Sequence, residues 1–270
     1  MDQFKDRVAV ITGGAGGIGM AMARAFAIRG AKLVLADLDE AALQRSQAEL
    51  EGTGATVLGV QTDVTSLESV QALAAAARQR FGAVHIICNN AGVAPFGELH
   101  QASHRDWVFT MNVNFWGVVH GVETFVPMLI EQGQGGWVIN TASMAGLVGM
   151  RWLGIYCASK FAVVGLTESM ARELTPHKIG VSVLCPMIVD TGINENTVRM
   201  RPDDLRNAEE LPPLPPANMA GGVIKAEEVA RRVVRAVDRG DFYILTHPEQ
   251  REFLRRRAAK IDAMFEEDVW

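Results

Sequence analysis

Val8-Ala-Val-Ile-Thr12-Gly13-Gly-Ala-Gly-Gly17-Ile-Gly19-Met-Ala-Met-Ala-Arg-Ala-Phe-Ala-Ile28 is the stretch whose reading decides the fold. Val8–Thr12 is apolar and rich in β-branched residues, which suits a short buried strand. Ile18–Ile28 carries the pattern of a packed helix, closed by Gly30. Between them the glycines fall in two registers. Gly14, Gly16 and Gly19 satisfy G-x-G-x-x-G, and Gly13, Gly17 and Gly19 satisfy G-x-x-x-G-x-G. Either pattern alone is a weak signal. A strand passing through such a turn into a helix is a stronger one, because the free N–H groups and positive dipole at the helix start suit a pyrophosphate, and glycine lets the backbone come close to it.

Outward from this unit, short apolar runs alternate with helical patterns, as in a parallel sheet with crossover helices. The expected strands after the first are Lys32–Asp37, Thr56–Gln61, Val84–Cys88, Trp137–Thr141, Gly180–Leu184 and Phe242–Leu245. Helices are expected over about Glu40–Leu50, Ser66–Arg80, a long stretch through Trp107 and Val119 toward Met128, and Ile155–Leu174. With no internal repeat, this predicts one doubly wound α/β domain over residues 1–270, with about seven strands and helices on both faces. Arg201–Gly222 departs from the rhythm through Pro202, Pro212, Pro213, Pro215 and Pro216. A long proline-rich insertion of this kind reads as a lid, at about 191–225, or as an irregular excursion. A helical tail at about 249–270 carries Phe253, Leu254, Ile261, Met264 and Phe265 for packing on the body or on a neighbour.

The balance of 26 Lys and Arg against 31 Asp and Glu argues against nucleic acid as the main partner. Arg255-Arg256-Arg257 is a tight basic run that reads as a solvated helix face. Cys88, Cys157 and Cys185 are far apart, with neither disulfide-framework nor metal-ligand spacing, and read as small buried hydrophobes in a reducing compartment. The polar start Met1–Arg7 lacks a secretory apolar region, and no run of about 18 apolar residues is visible. The expectation is a cytoplasmic protein with no membrane partner and no metal.

Asp37 ends the second expected strand, roughly twenty residues beyond the glycines, where an acid can accept both ribose hydroxyls of NAD. A 2′-phosphate there would meet its negative charge, with no Arg or Lys at Ala15, Gly16 or Leu38 to offset it. The plainer reading of Asp37 is a cap for the following helix. Further on, Tyr156-Cys-Ala-Ser-Lys160 puts a phenol and an ammonium on one helix face. A phenol with a pKa of about 10 is a poor base at neutral pH, and a nearby cation favours its ionised form. A surface i,i+4 pair would look the same.

Taken together, these motifs resemble the classical short-chain dehydrogenase/reductase family from Val8 to about Thr191. The resemblance implies that Thr12-Gly13-x-x-x-Gly17-Ile18-Gly19 is the cofactor turn, with Asp37 and Leu38 at the ribose. It implies that Asp63 and Val64 contact the adenine, and that Asn90-Ala91-Gly92 backs the cofactor. Pro186, Ile188 and Thr191 would hold the nicotinamide end. Ser143, thirteen residues before Tyr156, would hold the substrate oxygen. Tyr156 would act as acid–base, and Lys160 would tune it and hold the nicotinamide ribose. Asn114, in Val113-Asn114-Phe-Trp-Gly117, would kink its helix and hold a water linking Lys160 to solvent; nearby Asn112 is the alternative.

The family's Pro-Gly after the sixth strand is here Pro186-Met187, which would narrow the pocket floor or make it more apolar. The resemblance also puts Val93, Ala94, Met144, Ala145, Leu147, Met150 and Trp152 near the substrate, a mostly apolar set. Arg151 is the one cation in reach as a carboxylate clamp, and it reads as solvated. An apolar or aromatic secondary alcohol, or its ketone, follows as the expected substrate, with NAD as cofactor. Relatives pair their long helices, which predicts a homodimer or homotetramer through Val118, Val122 and Phe125 with Ala162, Val163, Leu166 and Met170. The rival readings are an NADPH-dependent carbonyl reductase, which Asp37 speaks against, and a dinucleotide-binding sensor without turnover, which the Ser143, Tyr156 and Lys160 set speaks against.

Overall fold

The computed structural model describes residues 3–207 and 221–265. In chain order the elements are β1 (Val8–Thr12), α1 (Gly17–Ile28), β2 (Lys32–Asp37), α2 (Glu40–Gly52), β3 (Val57–Gln61), α3 (Leu67–Phe81) and β4 (Ile86–Asn89). Next come α4 (His104–Met111), a π-helical turn at Asn112–Trp116, α5 (Gly117–Gln132), β5 (Gly136–Thr141), α6 (Gly154–Leu174) and β6 (Ile179–Cys185). The rest is β7 (Val189–Asp190), α7 (Ile193–Arg199), β8 (Ile224–Lys225), α8 (Ala226–Arg239), β9 (Tyr243–Leu245) and α9 (Arg251–Asp262).

One parallel sheet of seven strands carries the molecule, in the order β3-β2-β1-β4-β5-β6-β9. All five residues of β1 are buried, as a central strand covered on both faces requires. On one face α1 and α8 bury Met22, Phe26, Val229 and Val233 against Ile11, Leu33 and Leu35. On the other, α3, α5 and α6 bury Leu73, Phe125, Leu129 and Met170 against Val10, Val34 and Val138. The strand order reverses direction between β1 and β4, so their carboxyl ends leave a crevice at the switch point.

Helix starts follow local side-chain chemistry. Asp39 caps α2 through the Ala42 amide, and Ser66 caps α3 through the Ser69 amide. Ser103 and Asp106 form a reciprocal capping box on α4. Asp37 is therefore not the cap of α2. The expected strand at Val84 starts later, at Ile86, because the Gln132 side chain takes both the amide and the carbonyl of Val84.

Several expectations are corrected. α8 was not foreseen, although Val229, Val233, Ala236 and Val237 have helical spacing and are buried. Val118, Phe125, Val163 and Met170 point into the core, so they form no outer face. The exposed apolar side chains near α5 are Trp116 and Ile130. The helical stretch His104–Gln132 is long and apolar enough, by length and composition, to cross a bilayer, contrary to the expectation. Its Val118, Phe125, Val126 and Leu129 are buried, as in a core helix of this fold. Of the tail residues, Leu254 packs on the body, while Phe253, Ile261, Met264 and Phe265 are exposed. The prolines at 212–216 and residues 266–270 lie outside the described residues.

Candidate active site

At the carboxyl ends of the strands lies a cleft of about 400 Å³. Gly13, Gly16, Gly17 and Ile18 line it, together with Asp37, Leu38, Asp63 and Val64. Asn90, Ala91 and Gly92 also line it, as do Ser143, Ala145, Met150, Tyr156, Lys160, Pro186, Met187, Ile188 and Thr191.

The glycine turn is shaped by close approach. Gly13 and Gly17 have φ of +62° and +50°, where a side chain would be strained. A Cβ at Gly19 would stand 2.1 Å from the Gly13 carbonyl oxygen, so Gly19 seats α1 on the turn and does not itself line the cleft. Thr12 ties this turn to β4. Its hydroxyl oxygen accepts from the Asn90 and Ala91 amides at 2.9 and 3.1 Å, and its carbonyl accepts from Asn90 Nδ2 at 3.0 Å.

Does the cleft fit a dinucleotide? The start of α1 has Gly16 as its cap residue, with no side-chain cap and no acid in the first turn. Its N–H groups are thus left for an anion. Gly16 itself has nothing within 4 Å of where a Cβ would stand. At the far end Asp37 Oδ2 accepts from the Ala15 amide at 3.1 Å and Oδ1 from the Asp39 amide at 3.2 Å, which fixes the carboxylate at the cleft wall. Asp63 Oδ1 accepts from the amide and hydroxyl of Thr65, turning the chain at the edge of the cleft. These residues fit a pyrophosphate flanked by a ribose.

The polar centre comes from three elements. Ser143 follows β5 and starts a short 3-10 turn, with its oxygen accepting from the Ala145 amide at 3.1 Å. Tyr156 and Lys160 stand one turn apart on α6, the Lys160 Nζ 5.6 Å from the Tyr156 ring centre. Lys160 Nζ donates to the Thr141 carbonyl at 3.0 Å. Burial pulls the Lys160 ammonium down to about 8 and pushes the Tyr156 phenol up to about 12, the Ser143 hydrogen bond opposing the latter. In the cofactor-free protein, then, desolvation of the phenolate sets the direction of the Tyr156 shift.

Asn114 sits in the π-helical turn and is fully buried. Its Oδ1 accepts from the Val93 amide at 2.8 Å, and its Nδ2 donates to the Val93 carbonyl and to Ser159 Oγ at 2.9 and 3.1 Å. Ser159 in turn donates to the Tyr156 carbonyl at 2.7 Å. The Asn114 amide thus joins the loop after β4 to the helix that carries Tyr156, and its side chain is committed to that work. Asn112 lines the cleft instead.

Three expected substrate contacts are corrected. Met144 is 1% exposed, in the core with Val163 and Val183, because the backbone turns at Ser143 to bond Met144 N to the Pro186 carbonyl. Leu147 also packs on that core. Trp152 takes φ +64°, aims its carbonyl at the Gly97 amide and stacks under Arg151, so neither lines the cleft. Val93 and Ala94 do line it.

Phe96 and Phe109 also line the cleft and carried no motif in the sequence, while Met200, Pro202 and Leu205 come from the base of the expected lid. Arg199, also in the cleft wall, pairs with Asp39 at 2.6 Å, so a cation does stand near the ribose end. Only its position at the end of α7 reveals this.

Comparison with known proteins agrees with the geometry. Residues 7–202 match the short chain dehydrogenase family, and the chain belongs to that family. Among solved structures it resembles a short chain dehydrogenase/reductase from Burkholderia phymatum in complex with NAD. That likeness has a TM-score of 0.91 and 42% identity, over 98% of this chain and 97% of the other. Among curated proteins it is 34% identical to a CLA biosynthesis dehydrogenase/reductase of Lactiplantibacillus plantarum, over 97% of this chain and 95% of the relative. It is also 34% identical to a C alpha-dehydrogenase of Sphingobium sp., over 95% of this chain and 85% of the relative. The chain is thus an oxidoreductase of a dinucleotide-binding family.

Proposed function

We propose that the protein interconverts a secondary alcohol and its ketone with NAD, using Tyr156 as acid–base. One observation carries this reading. An uncapped helix start, the Asp37 carboxylate and the Ser143, Tyr156 and Lys160 side chains all line one cleft. In alcohol oxidation Ser143 holds the substrate oxygen beside Tyr156, which takes its proton. Held by the glycine turn, Asp37 and Lys160, NAD would supply the hydride acceptor and a positive charge in the cleft. That charge opposes the burial that otherwise keeps Tyr156 protonated. Lys160, held by the Thr141 carbonyl, adds a second cation where its proton is retained. Asn114 and Ser159 keep α6 in register with the loop after β4.

Asp37 supports NAD over NADP, since a 2′-phosphate would meet its carboxylate. The Arg199 guanidinium, already neutralised by Asp39, weakens that argument little. Phe96, Phe109, Met150 and Met187, the last standing where the family has glycine, support an apolar substrate. We also propose a cytoplasmic homo-oligomer.

The test is NADH formation by the purified protein over a panel of aliphatic, aromatic, steroid and polyol secondary alcohols, with NADP in parallel. Turnover should favour NAD and an apolar alcohol. Tyr156→Phe should lower kcat/KM by a factor of about 100 to 10,000 while still binding NADH. Equal turnover in that variant removes the mechanism.

A further inference from the structure

The described base of the lid is held onto α4 by a charged network. Arg201 Nη1 lies 2.6 Å from Asp106 Oδ1, and the two side chains are only 15% and 10% exposed. Arg201 Nε donates to the Leu205 carbonyl at 2.7 Å, so the residue also closes the turn 201–205 on itself. Its guanidinium stacks over the Phe109 ring at 5.4 Å. Asn207 Nδ2 donates to both Asp106 oxygens at 3.2 and 3.3 Å, and Arg105 donates to the Arg206 carbonyl at 2.8 Å. Upstream, the Ala94 amide donates to Thr197 Oγ1 at 2.8 Å.

This network has a direct consequence for the cleft. Phe109, Met200, Pro202 and Leu205 all line it, and each is beside or between the anchors just named. Asp106 lies one helical turn before Phe109 on α4, and Met200 and Pro202 flank Arg201 in the chain. The lining is apolar, but the force that places it is an ion pair behind it. Breaking a largely desolvated pair from one side leaves an uncompensated charge, so the wall would rearrange and not merely lose one contact. Nothing in this network touches Ser143, Tyr156, Lys160 or the glycine turn.

We propose that the Asp106–Arg201 pair is the positioning element of the substrate wall, holding Phe109, Met200, Pro202 and Leu205 against the bound alcohol. It therefore governs KM for the alcohol and leaves the chemical step and cofactor binding to other residues. The proposal rests on the dehydrogenase reading above.

Two variants test it: Arg201→Met, which keeps an apolar stem on Phe109, and Asp106→Asn, which keeps an oxygen for the capping box. With the best alcohol of the panel, each should raise KM by about tenfold or more, with kcat within about twofold of the parent. NADH affinity should be unchanged, which also shows that each variant is folded. Hydrogen exchange with NADH bound should speed up at residues 200–207 and stay as in the parent at β1 and α1. A fall in kcat at constant KM, or unchanged exchange at 200–207 in an active protein, overturns the proposal alone. If the parent oxidises no secondary alcohol, the dehydrogenase reading falls and takes the proposal with it.

Discussion

Lys160 shows how the site trades stability for chemistry at the level of a single residue. It is 3% exposed, and burial lowers its pKa from 10.5 to about 8. Keeping it charged in the folded cofactor-free protein costs about 3 kcal/mol below that value. Between about pH 8 and 10.5 the folded lysine is neutral while the unfolded one still holds its proton, so its contribution to stability improves as pH rises. Lys160→Met should therefore raise the melting temperature of the cofactor-free protein at pH 7, with an advantage that shrinks toward pH 9.5. Thermal scans across that range check it, and a pH-independent difference would contradict it. Above pH 10 the buried Tyr156 acts in the opposite direction, since its folded pKa of about 12 lies above the ordinary one. The pair was legible in the sequence through its spacing of four. Its titration was not, because desolvation depends on what packs around the helix.

At the level of elements, the strand–turn–helix unit separates glycines that shape the fold from one that leaves room for a ligand. Gly19 is pressed against the Gly13 carbonyl, whereas Gly16 faces open space and lines the cleft. Gly19→Ala should destabilise the protein by about 1–3 kcal/mol, because the obstruction is backbone and cannot swing aside. Gly16→Ala should stay within about 0.5 kcal/mol of the parent, its φ of −165° being ordinary extended backbone. It should nevertheless weaken NADH binding by about tenfold, or 1.4 kcal/mol. Denaturant titrations and fluorescence titration with NADH distinguish the two. Equal effects of both variants on stability would refute the division. Both glycines were visible in the sequence, in two overlapping registers. Only the crossing of α1 over the turn shows that Gly19 meets a carbonyl and Gly16 meets none.

For the whole molecule, the sheet order sets the crevice between β1 and β4, and the outer surfaces set assembly. Trp116 and Ile130 are 48% and 37% exposed, whereas Val118 and Phe125, expected on an outer face, are buried. The purified chain should sediment at a multiple of 29.3 kDa, with Trp116→Glu shifting it toward the monomer. An unchanged mass in the variant would place the contact elsewhere. The sequence by itself determined the seven strands of the main sheet and the helices α1 to α6, the glycine turn and the order of Asp37, Ser143, Tyr156 and Lys160, because periodicity and motif spacing are local properties of a chain. It also pointed to Asn114 by its neighbours. Tertiary structure alone decided that Met144 is core, that Arg199 reaches Asp39, and that Asp106 meets Arg201 across 95 residues. Those outcomes depend on which surfaces the packed elements bring together, and contacts so distant along the chain leave no period or motif to read.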